Sequence, residues 1–553
     1  MDIPGLEGIL AEYDEVITQI VNRPGDPVMP AGFSIVGDRT SKPDTDNPSV
    51  QDLELEQDSA AVVIRRLLSR FSKLPEKLIG GATSLVSMGI DSITALQFAS
   101  LARKQGVFVA PLTVIQCANV RELLERIREE RTEDRLNPAS SSQSSAAEIQ
   151  LPLADVISTT MPRHLRRYIE AIYPVSPGME WMIGAWQKSG GYRYQHALVY
   201  RLHGRIDIRR LEESWDALLR FHPILRSTFC PVPAIKGNSD DLVALCVLDT
   251  SSKEKPLSHR QLPYLHSEDH AVAAEARMSV VHPSPTPGVH ARLTVLEGRH
   301  DSYLLFNFHH FQYGECPTSP SRWWTNLVSA DAGSLPLLVR HLEAIYLGLA
   351  FHCEGDLGYH LRSLLPTPQK RQVQEKYWRE VFPPGWHPKV FTRSSPSRME
   401  NRANYLFRDV IPSPKNLREK ARKSDVSLQA VLLAAWARVH SLECSASEAT
   451  FGILHSNRFT DNLAVPCLNL LPIRIVDTQR PILEVARALM KDLQKRSGTL
   501  EQSKLRDVSE WAGFKGKPLC DVYVNVLHIG FDLGGGSMEK RLFEPVKVSS
   551  SFV

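Results

Sequence analysis

Two short stretches of this chain hold the side chains that could do chemistry. The β-type run LLFNFHH ends in the adjacent histidines His309 and His310. A neutral imidazole near pH 7 can take a proton from a reacting group, so a histidine pair at a strand end is a candidate catalytic site. Two partly buried histidines with satisfied hydrogen bonds are the structural alternative.

The second stretch is SLVSMGIDSITALQFASLARKQGV, in which Ser92 directly follows Asp91. The apolar spacing after Ser92 predicts an amphipathic helix that leaves this serine exposed at its start. A helix N-terminus has free N–H donors and the positive end of the helix dipole, which suit an anionic phosphate ester on a serine. The alternative is that Ser92 only caps the helix.

Composition restricts the classes of protein to which this chain can belong. Its 553 residues predict about three or four domain-sized units. A net charge of only +3 gives no electrostatic case for nucleic acid. The longest apolar stretch, near Leu428–Val439, is interrupted and too short for a membrane span. No signal-peptide pattern begins the chain, which favours the cytoplasm. The eight cysteines include no C-x-x-C pair, which favours reduced thiols over disulfides or a metal site.

The Ser92 stretch must be positioned by a small all-α bundle. Residues 58–130 contain three amphipathic segments: one before Ser92, one from Ser92 to a stop at Gly106, and one that begins at Asn119 with Glu122 as its capping-box partner. Segments rich in Pro, Ser, Thr and charge predict linkers at 23–57 and 131–165. A further short amphipathic helix is predicted at 1–22.

The histidine pair must be positioned by a larger α/β body that covers residues 166–553. Strand-like runs alternate there with helical patterns, and this alternation predicts two α/β layers with sizeable cores. The strand-like runs are HALVYRLHG, LVALCVLD, ARLTVLEG, SYLLFNFHH, ATFGILHS and CDVYVNVLH.

The helical unit resembles the thiolation, or peptidyl carrier, domain of non-ribosomal peptide synthetases. The resemblance rests on Leu85 and on the motif MGIDSI around Ser92, which is similar to the form common in fungal synthetases. It implies that Ser92 is the attachment site of covalent 4′-phosphopantetheine, added by a separate phosphopantetheinyl transferase. It also implies that Asp91 contributes to recognition by that transferase.

The body resembles the condensation domain of the same synthetases, through five motifs in order. This resemblance implies two chloramphenicol-acetyltransferase-like α/β lobes with a tunnel between them. The motifs are YPVSPGMEWM, RFHPILRSTF, the stretch around His309-His310, the pair FGILHSNRF and AVPCLNLLPIRI, and DVYVNVLH.

The third motif of that family is His-His-x-x-x-Asp-Gly. The resemblance assigns the catalytic role to His310, beside His309, as the group that orients or deprotonates the attacking amine. The family's aspartate makes a structural salt bridge to an arginine, for which Arg458 is the candidate here. Gly314 stands where the aspartate is expected, and Asp331 comes seventeen residues later.

Deleting residues 314–330 would restore the family pattern as HHFQYDAGS, with Asp331 in its expected place. The codons of this stretch can also hide splice signals, so we interpret it as an intron-derived insert. A genuine loop insertion is the alternative. Residues 1–22 resemble the tail of a preceding condensation domain, and the body is expected to be C-terminally incomplete, with a truncated second lobe.

The resemblance predicts the carrier–condensation portion of a fungal-type synthetase, similar to hydroxamate siderophore synthetases of the ferrichrome type. Such a chain holds an acyl or peptidyl thioester and forms an amide or ester bond. Its implied partners are the transferase and the other carrier and adenylation domains, with no nucleic acid and no membrane. Two alternatives stay open: an inactive module that docks carriers, and a stand-alone acyltransferase that uses acyl-CoA.

Overall fold

The computed structural model describes the parts of the chain that build a helical unit and an α/β body. The described residues are 59–72, 74–90, 92–109, 111–136, 161–188, 195–202, 206–232, 242–252, 257–262, 268–281, 291–309, 334–351, 356–389, 414–456, 464–465, 467–496, 498–515, 519–520, 522–524 and 543–545. The helix predicted at 1–22 and the linker predicted at 23–57 lie outside these residues.

The helical unit contains one more helix than the three that the sequence predicts. The additional helix is short, and the last helix continues beyond residue 130, where the unit was expected to end. The helices are α1 (Ser59–Ser72), α2 (Ser92–Lys104), α3 (Pro111–Gln116) and α4 (Val120–Leu136), with a 3₁₀ turn at Glu76–Leu78.

The helices of this unit enclose a single apolar core. The spacing of Ile64, Leu67 and Leu68 predicts a buried face on α1, and all three side chains are buried. In α2 the described side chains on the core face are Ala95, Phe98, Ala99 and Ala102.

Local capping explains where α2 ends and where α4 begins. Gly106 takes a φ of +80° just after α2, a left-handed conformation that favours glycine. The Asn119 side chain accepts a hydrogen bond from the Glu122 N–H at 3.0 Å. The Glu122 carboxylate reaches back to the Ala118 N–H at 2.8 Å, one residue earlier than an ordinary capping box.

The first half of the body holds two sheets. Its elements are α5 (Arg163–Arg166), β1 (Ile169–Pro174), α6 (Pro177–Lys188), β2 (Gln195–Leu202), α7 (Ile208–Phe221), β3 (Ser227–Val232), β4 (Leu242–Leu248), β5 (Leu257–Gln261), α8 (Glu268–Val281), β6 (Arg292–Glu297), β7 (Ser302–His309), α9 (Ser334–Leu347) and α10 (Leu357–Ser363), together with β11 (Phe543–Pro545) from the C-terminal part of the chain. Strands β1, β4 and β3 form an antiparallel sheet in that order. Strands β11, β2, β7, β6 and β5 form a mixed sheet in which only β5 and β6 are parallel.

The second half of the body is built around one smaller sheet. Its elements are α11 (Pro368–Val381), α12 (Pro414–Lys423), α13 (Leu428–Glu443), β8 (Ala449–Ser456), β9 (Leu468–Ile475), α14 (Ile482–Arg496), α15 (Leu505–Trp511) and β10 (Tyr523–Val524). Strand β8 lies between β10, to which it is parallel, and β9, to which it is antiparallel. The predicted fold class, a small all-α unit followed by an α/β body, is confirmed.

The two halves meet where the first turn of α6 packs against β9. Gly178 lies so close to the β9 backbone that a Cβ atom there would be 1.6 Å from the Leu468 carbonyl oxygen. Two residues on, the Glu180 carboxylate pairs with Lys504 at 2.8 Å and with Arg506 at 3.2 Å. We call these residues, Gly178, Glu180, Leu468, Lys504 and Arg506, the seam.

A separate polar contact, within the first half of the body, joins α7 to α9. His222 follows α7, and its Nε2 lies 2.9 Å from Nδ1 of His341 on α9. Burial, together with the neighbouring His341, lowers the pKa of His222 to about 3. Burial, with the nearby charge of Arg340, lowers the pKa of His341 to about 4. Both rings are therefore neutral in the folded protein near pH 7.

We predict that Gly178→Ala lowers the free energy of unfolding of the body by about 2 kcal/mol or more, because backbone atoms of β9 occupy the space of the new methyl group. Gly184→Ala is the matched control on the same helix, with no atom within 4 Å of the added Cβ. It should stabilise the body by about 1 kcal/mol. Urea unfolding followed by tryptophan fluorescence measures the free energy of unfolding of the body, because every tryptophan lies after residue 180 and therefore outside the helical unit. Equal stability of the two variants would contradict the seam.

We also predict that the body loses stability as the pH falls from about 6.5 toward 4. Across this window the unfolded chain protonates His222 and His341 while the folded chain does not, so each imidazole costs up to about 1.4 kcal/mol per pH unit. The double variant His222→Asn/His341→Leu should flatten this slope. His300→Asn, at an exposed position, is the control and should leave it unchanged. A double variant whose stability falls with pH as steeply as that of the parent would refute the assignment of this pH dependence to His222 and His341.

Candidate functional site: a carrier serine and a strand-end histidine

Ser92 is the first residue of α2, as the sequence predicts. The turn before it includes Gly89, with a φ of +86°, and the Thr94 hydroxyl donates to the Gly89 carbonyl at 3.0 Å. These contacts fix the direction in which the chain enters the helix. The first-turn N–H groups have no intrahelical acceptor, so a serine here can hold a phosphodiester beside a positive dipole end. Asp91 lies outside the described residues.

His309 is the last residue of β7, where it pairs in register with Gln195 of β2. Its side chain is fully buried, and its ring packs edge-on against Trp186 of α6, with the centroids 5.2 Å apart. Trp186 in turn packs edge-on against Phe229. An aromatic core thus fixes the first histidine of the pair.

Other described residues meet where α9 begins and where the chain approaches β9. The Ser334 hydroxyl, at the start of α9, donates to the Val465 carbonyl and accepts from the Val465 N–H, both at 2.9 Å. Two residues after Val465, the Sγ atom of Cys467 lies 3.3 Å from Nε2 of His360 on α10. We call His309, Ser334, Val465, Cys467 and His360 the site frame.

The site frame combines residues from both halves of the body. Val465 and Cys467 precede β9, the strand against which Gly178 packs, while the other members belong to the first half. His310, Asp331 and Arg458 lie outside the described residues, as does the insert 314–330. Of the predicted site residues, only His309 and Ser92 have described backbone positions.

Sequence reasoning missed the polar contacts that hold this region together. Glu180 lies inside the opening motif, but its partner Lys504 is 324 residues away. Burial raises the pKa of Asp507 beside them, although Arg371 lies 3.2 Å from its carboxylate. No local pattern reports such pairs. The only sequence signal was an acidic residue within an otherwise apolar helix.

One motif arginine has a structural role. Arg226, in the stretch RFHPILRSTF, is buried and pairs with the Glu170 carboxylate and the Leu248 carbonyl. Its Nε also donates to the Leu219 carbonyl at 3.1 Å. These bonds tie the end of α7 to β1 and β4, which explains why an arginine stands in this position.

The described residues contain no group of three or more His, Cys, Asp or Glu side chains arranged to bind a metal ion. No helix among them has the length and apolar character that crossing a membrane requires.

The helical unit matches a known protein family. Residues 62–127 match the family described as "Phosphopantetheine attachment site". The matched segment begins in α1, contains Ser92 at the start of α2, and ends within α4. The cofactor of this family is covalent 4′-phosphopantetheine, as the sequence analysis predicts.

Curated relatives extend the similarity to most of the chain. The chain is 30% identical over 517 residues to nonribosomal peptide synthetase NPS2 of Ceriporiopsis subvermispora. This alignment covers 90% of this chain and 20% of that protein. It is also 24% identical over 473 residues to a hydroxamate-type ferrichrome siderophore peptide synthetase of Schizosaccharomyces pombe. That alignment covers 84% of this chain and 9% of that protein. The chain thus spans a fifth or less of these relatives.

Among solved structures, the starter condensation domain of rhizomide synthetase is similar with a TM-score of 0.48 and 16% identity, covering 64% of this chain and 78% of that one. The helical unit with its phosphopantetheine attachment family and the alignment over most of the body lead to one conclusion. The chain is similar over 90% of its length to a segment of a nonribosomal peptide synthetase, and its helical unit matches the phosphopantetheine attachment family.

Proposed function

We propose that this chain holds an acyl or peptidyl group on its helical unit and joins it to an amine in the α/β body. The observation that carries the proposal is the position of Ser92, the first residue of α2 within the segment that matches the phosphopantetheine family. The division of the chain belongs to the same proposal: a carrier at 58–130, continued by α4 to Leu136, and a condensation body from 166, preceded by α5.

Ser92 is the proposed attachment site, and Asp91 the proposed recognition residue for the transferase. The attached 4′-phosphopantetheine supplies a thiol that carries the acyl group as a thioester. The protein's contribution is to present the serine hydroxyl at a helix start, where the first-turn N–H groups and the dipole stabilise the phosphodiester. Gly89 and Thr94 support this geometry because they fix the turn before the helix.

His310 is the proposed catalytic residue of the body. It follows His309, whose buried ring against Trp186 would hold the strand end in place. We therefore assign His309 a positioning role and His310 the role of orienting the amine, or accepting its proton, as it attacks the thioester carbonyl.

Asp331 and Arg458 are the proposed structural ion pair of this loop. The bonds between Ser334 and Val465 support the proposal, because these residues lie shortly after Asp331 and Arg458, respectively. The two chain segments that would form the pair are thus tied together at a described point.

The remaining parts of the proposal concern partners and product. A phosphopantetheinyl transferase, other carrier and adenylation domains and acyl or peptidyl thioesters are the proposed partners, and the cytoplasm is the proposed location. Similarity to the ferrichrome siderophore peptide synthetase of Schizosaccharomyces pombe supports a siderophore as the product class. An amide or ester bond in such a secondary metabolite is the proposed product.

The second candidate function is a carrier-docking module without catalysis. The observation that favours it is the length of chain between His310 and Asp331, which would displace the catalytic loop if residues 314–330 are translated. The attached carrier argues against the third reading, a stand-alone acyltransferase that uses acyl-CoA.

The proposal is tested in two stages on the same proteins. Sequencing the transcript across the codons for Tyr313 to Asp331 first fixes which polypeptide to assay, and we expect residues 314–330 to be absent. Incubation with a broad transferase and CoA should then add the mass of one phosphopantetheine. Ser92→Ala should abolish the gain, whereas Ser59→Ala, at the start of α1, should keep it.

In the second stage, His310→Ala should lower amide formation from a loaded carrier by at least about a hundredfold while leaving Ser92 loading intact. The exposed His387→Ala is the control and should retain full activity. A mass gain that survives Ser92→Ala would refute the carrier. Undiminished amide formation in His310→Ala would refute the catalytic assignment. If the parent protein itself forms no amide, the docking module is favoured.

A further inference from the structure

Among the described residues, the helical unit forms hydrogen bonds to one turn in the second half of the body. The Ser84 hydroxyl donates a hydrogen bond to Oδ1 of Asp425 at 2.7 Å. Close by, Nη1 of Arg422 donates to the Ser72 carbonyl, at the end of α1, at 3.3 Å. Helix α3 also approaches α14. The carrier therefore rests on the turn that follows α12.

This turn has a recognisable geometry with an unusual residue in it. The Val426 N–H donates to the Ala421 carbonyl and the Asp425 N–H to the Arg422 carbonyl, at 3.0 and 3.1 Å, which is the bonding pattern of a Schellman motif. Asp425 occupies the left-handed position of the motif, with a φ of +53°. Glycine is the usual residue there because a Cβ atom makes this conformation unfavourable.

Other helices of the same chain provide an internal comparison. Helices α2, α9 and α15 end in the same bonding pattern, with Gly106, Gly348 and Gly513 in the left-handed position. Helix α13 ends in this pattern too, with Ser445 at a φ of +50°. Of these five described positions, Asp425 is the one whose side chain bonds to the carrier, so its carboxylate has a use that glycine could not supply.

On the carrier side, Ser84 is held rigidly in the loop that leads to Ser92. Leu85 donates its N–H to the Ala118 carbonyl at 3.2 Å, and the Ser87 hydroxyl donates to the Ser84 carbonyl at 2.7 Å. Ser84 also forms an isolated bridge with Asn119, just before α4. Whatever holds Ser84 therefore fixes the position of the α2 start and of Ser92.

The contact is polar and exposed rather than a shared core. Every apolar cluster among the described residues draws its members either from 60–127 or from the body, and none combines the two. Ser84 and Asp425 form an exposed hydrogen bond, which is individually weak. Because both partners belong to one chain, the effective concentration of a tethered contact is on the order of millimolar, which is enough to populate weak docking.

We propose that the turn of Arg422 to Val426 is a reversible docking site for the chain's own carrier. The Asp425 carboxylate recognises the Ser84 hydroxyl, and Arg422 covers the carbonyl end of α1. The dock gives the carrier a defined resting position between visits to its partners. Its occupant is the carrier in cis, and its formation does not depend on whether His310 is catalytic or Ser92 is loaded.

Disulfide trapping in the full chain tests whether the contact exists in solution. Under mild oxidation by oxidised glutathione, Ser84→Cys/Asp425→Cys should form an internal cross-link several times faster than the control pair Ser84→Cys/Asp477→Cys. Asp477 lies in the same half of the body and is exposed. Peptide mapping identifies the linked residues. Equal rates for the two pairs would overturn the proposal.

Substitutions at the turn then separate docking from folding. Asp425→Gly keeps the left-handed backbone and removes the carboxylate, so it should leave the thermal midpoint unchanged or higher while lowering the docked fraction roughly two- to tenfold. Faster amide hydrogen exchange in residues 81–90 reports this loss. Asp425→Asn retains an acceptor oxygen and should keep most of the protection.

Ser445→Gly is the matched control, because it relieves the same backbone conformation at a turn that does not contact Ser84. It should leave exchange in residues 81–90 unchanged. Equal exchange in Asp425→Gly and Ser445→Gly would overturn the dock. Since neither readout needs a loaded Ser92 or an active body, this result is independent of the proposed reaction.

Discussion

The packing of α6 against the backbone of β9 is the constraint on which the body depends. Gly178 leaves no room for a side chain at the Leu468 carbonyl, so the two halves must meet with their backbones in contact. Glu180 then joins the same helix to Lys504 through a largely buried ion pair. Such a pair contributes specificity of position as much as stability, because its partners lose their hydration unless they meet in one geometry.

The candidate site inherits its geometry from this seam. Val465 and Cys467 precede the strand that contacts Gly178, and they meet Ser334 and His360 of the first half. A displacement of one half relative to the other would therefore move the segments on either side of His310 by different amounts. Since reaction rates fall steeply with small misplacements of reacting groups, disturbing the seam is expected to slow the proposed reaction.

The sequence predicted the features whose causes are local. Helix α2 begins at Ser92 and stops before Gly106, and β7 ends at His309, because apolar periodicity and capping residues act over a few positions. The short α3 was missed since six residues carry little periodicity. The contacts of Glu180 with Lys504 and of His222 with His341 join residues 324 and 119 positions apart, and such pairs leave no pattern in either segment. The left-handed Asp425 was equally hidden, because glycine marks such turns in a sequence and aspartate does not.

The most direct test of the seam's role is the amide hydrogen exchange of Val465, whose N–H bonds to the Ser334 hydroxyl. It is measured in the parent chain, in Glu180→Gln, in Lys504→Gln and in the double variant. If the seam positions the site frame, each single substitution lowers the protection of this amide and the double variant lowers it little further, as expected for two partners of one interaction. Unchanged protection in the single variants, or two losses that simply add, would contradict the account.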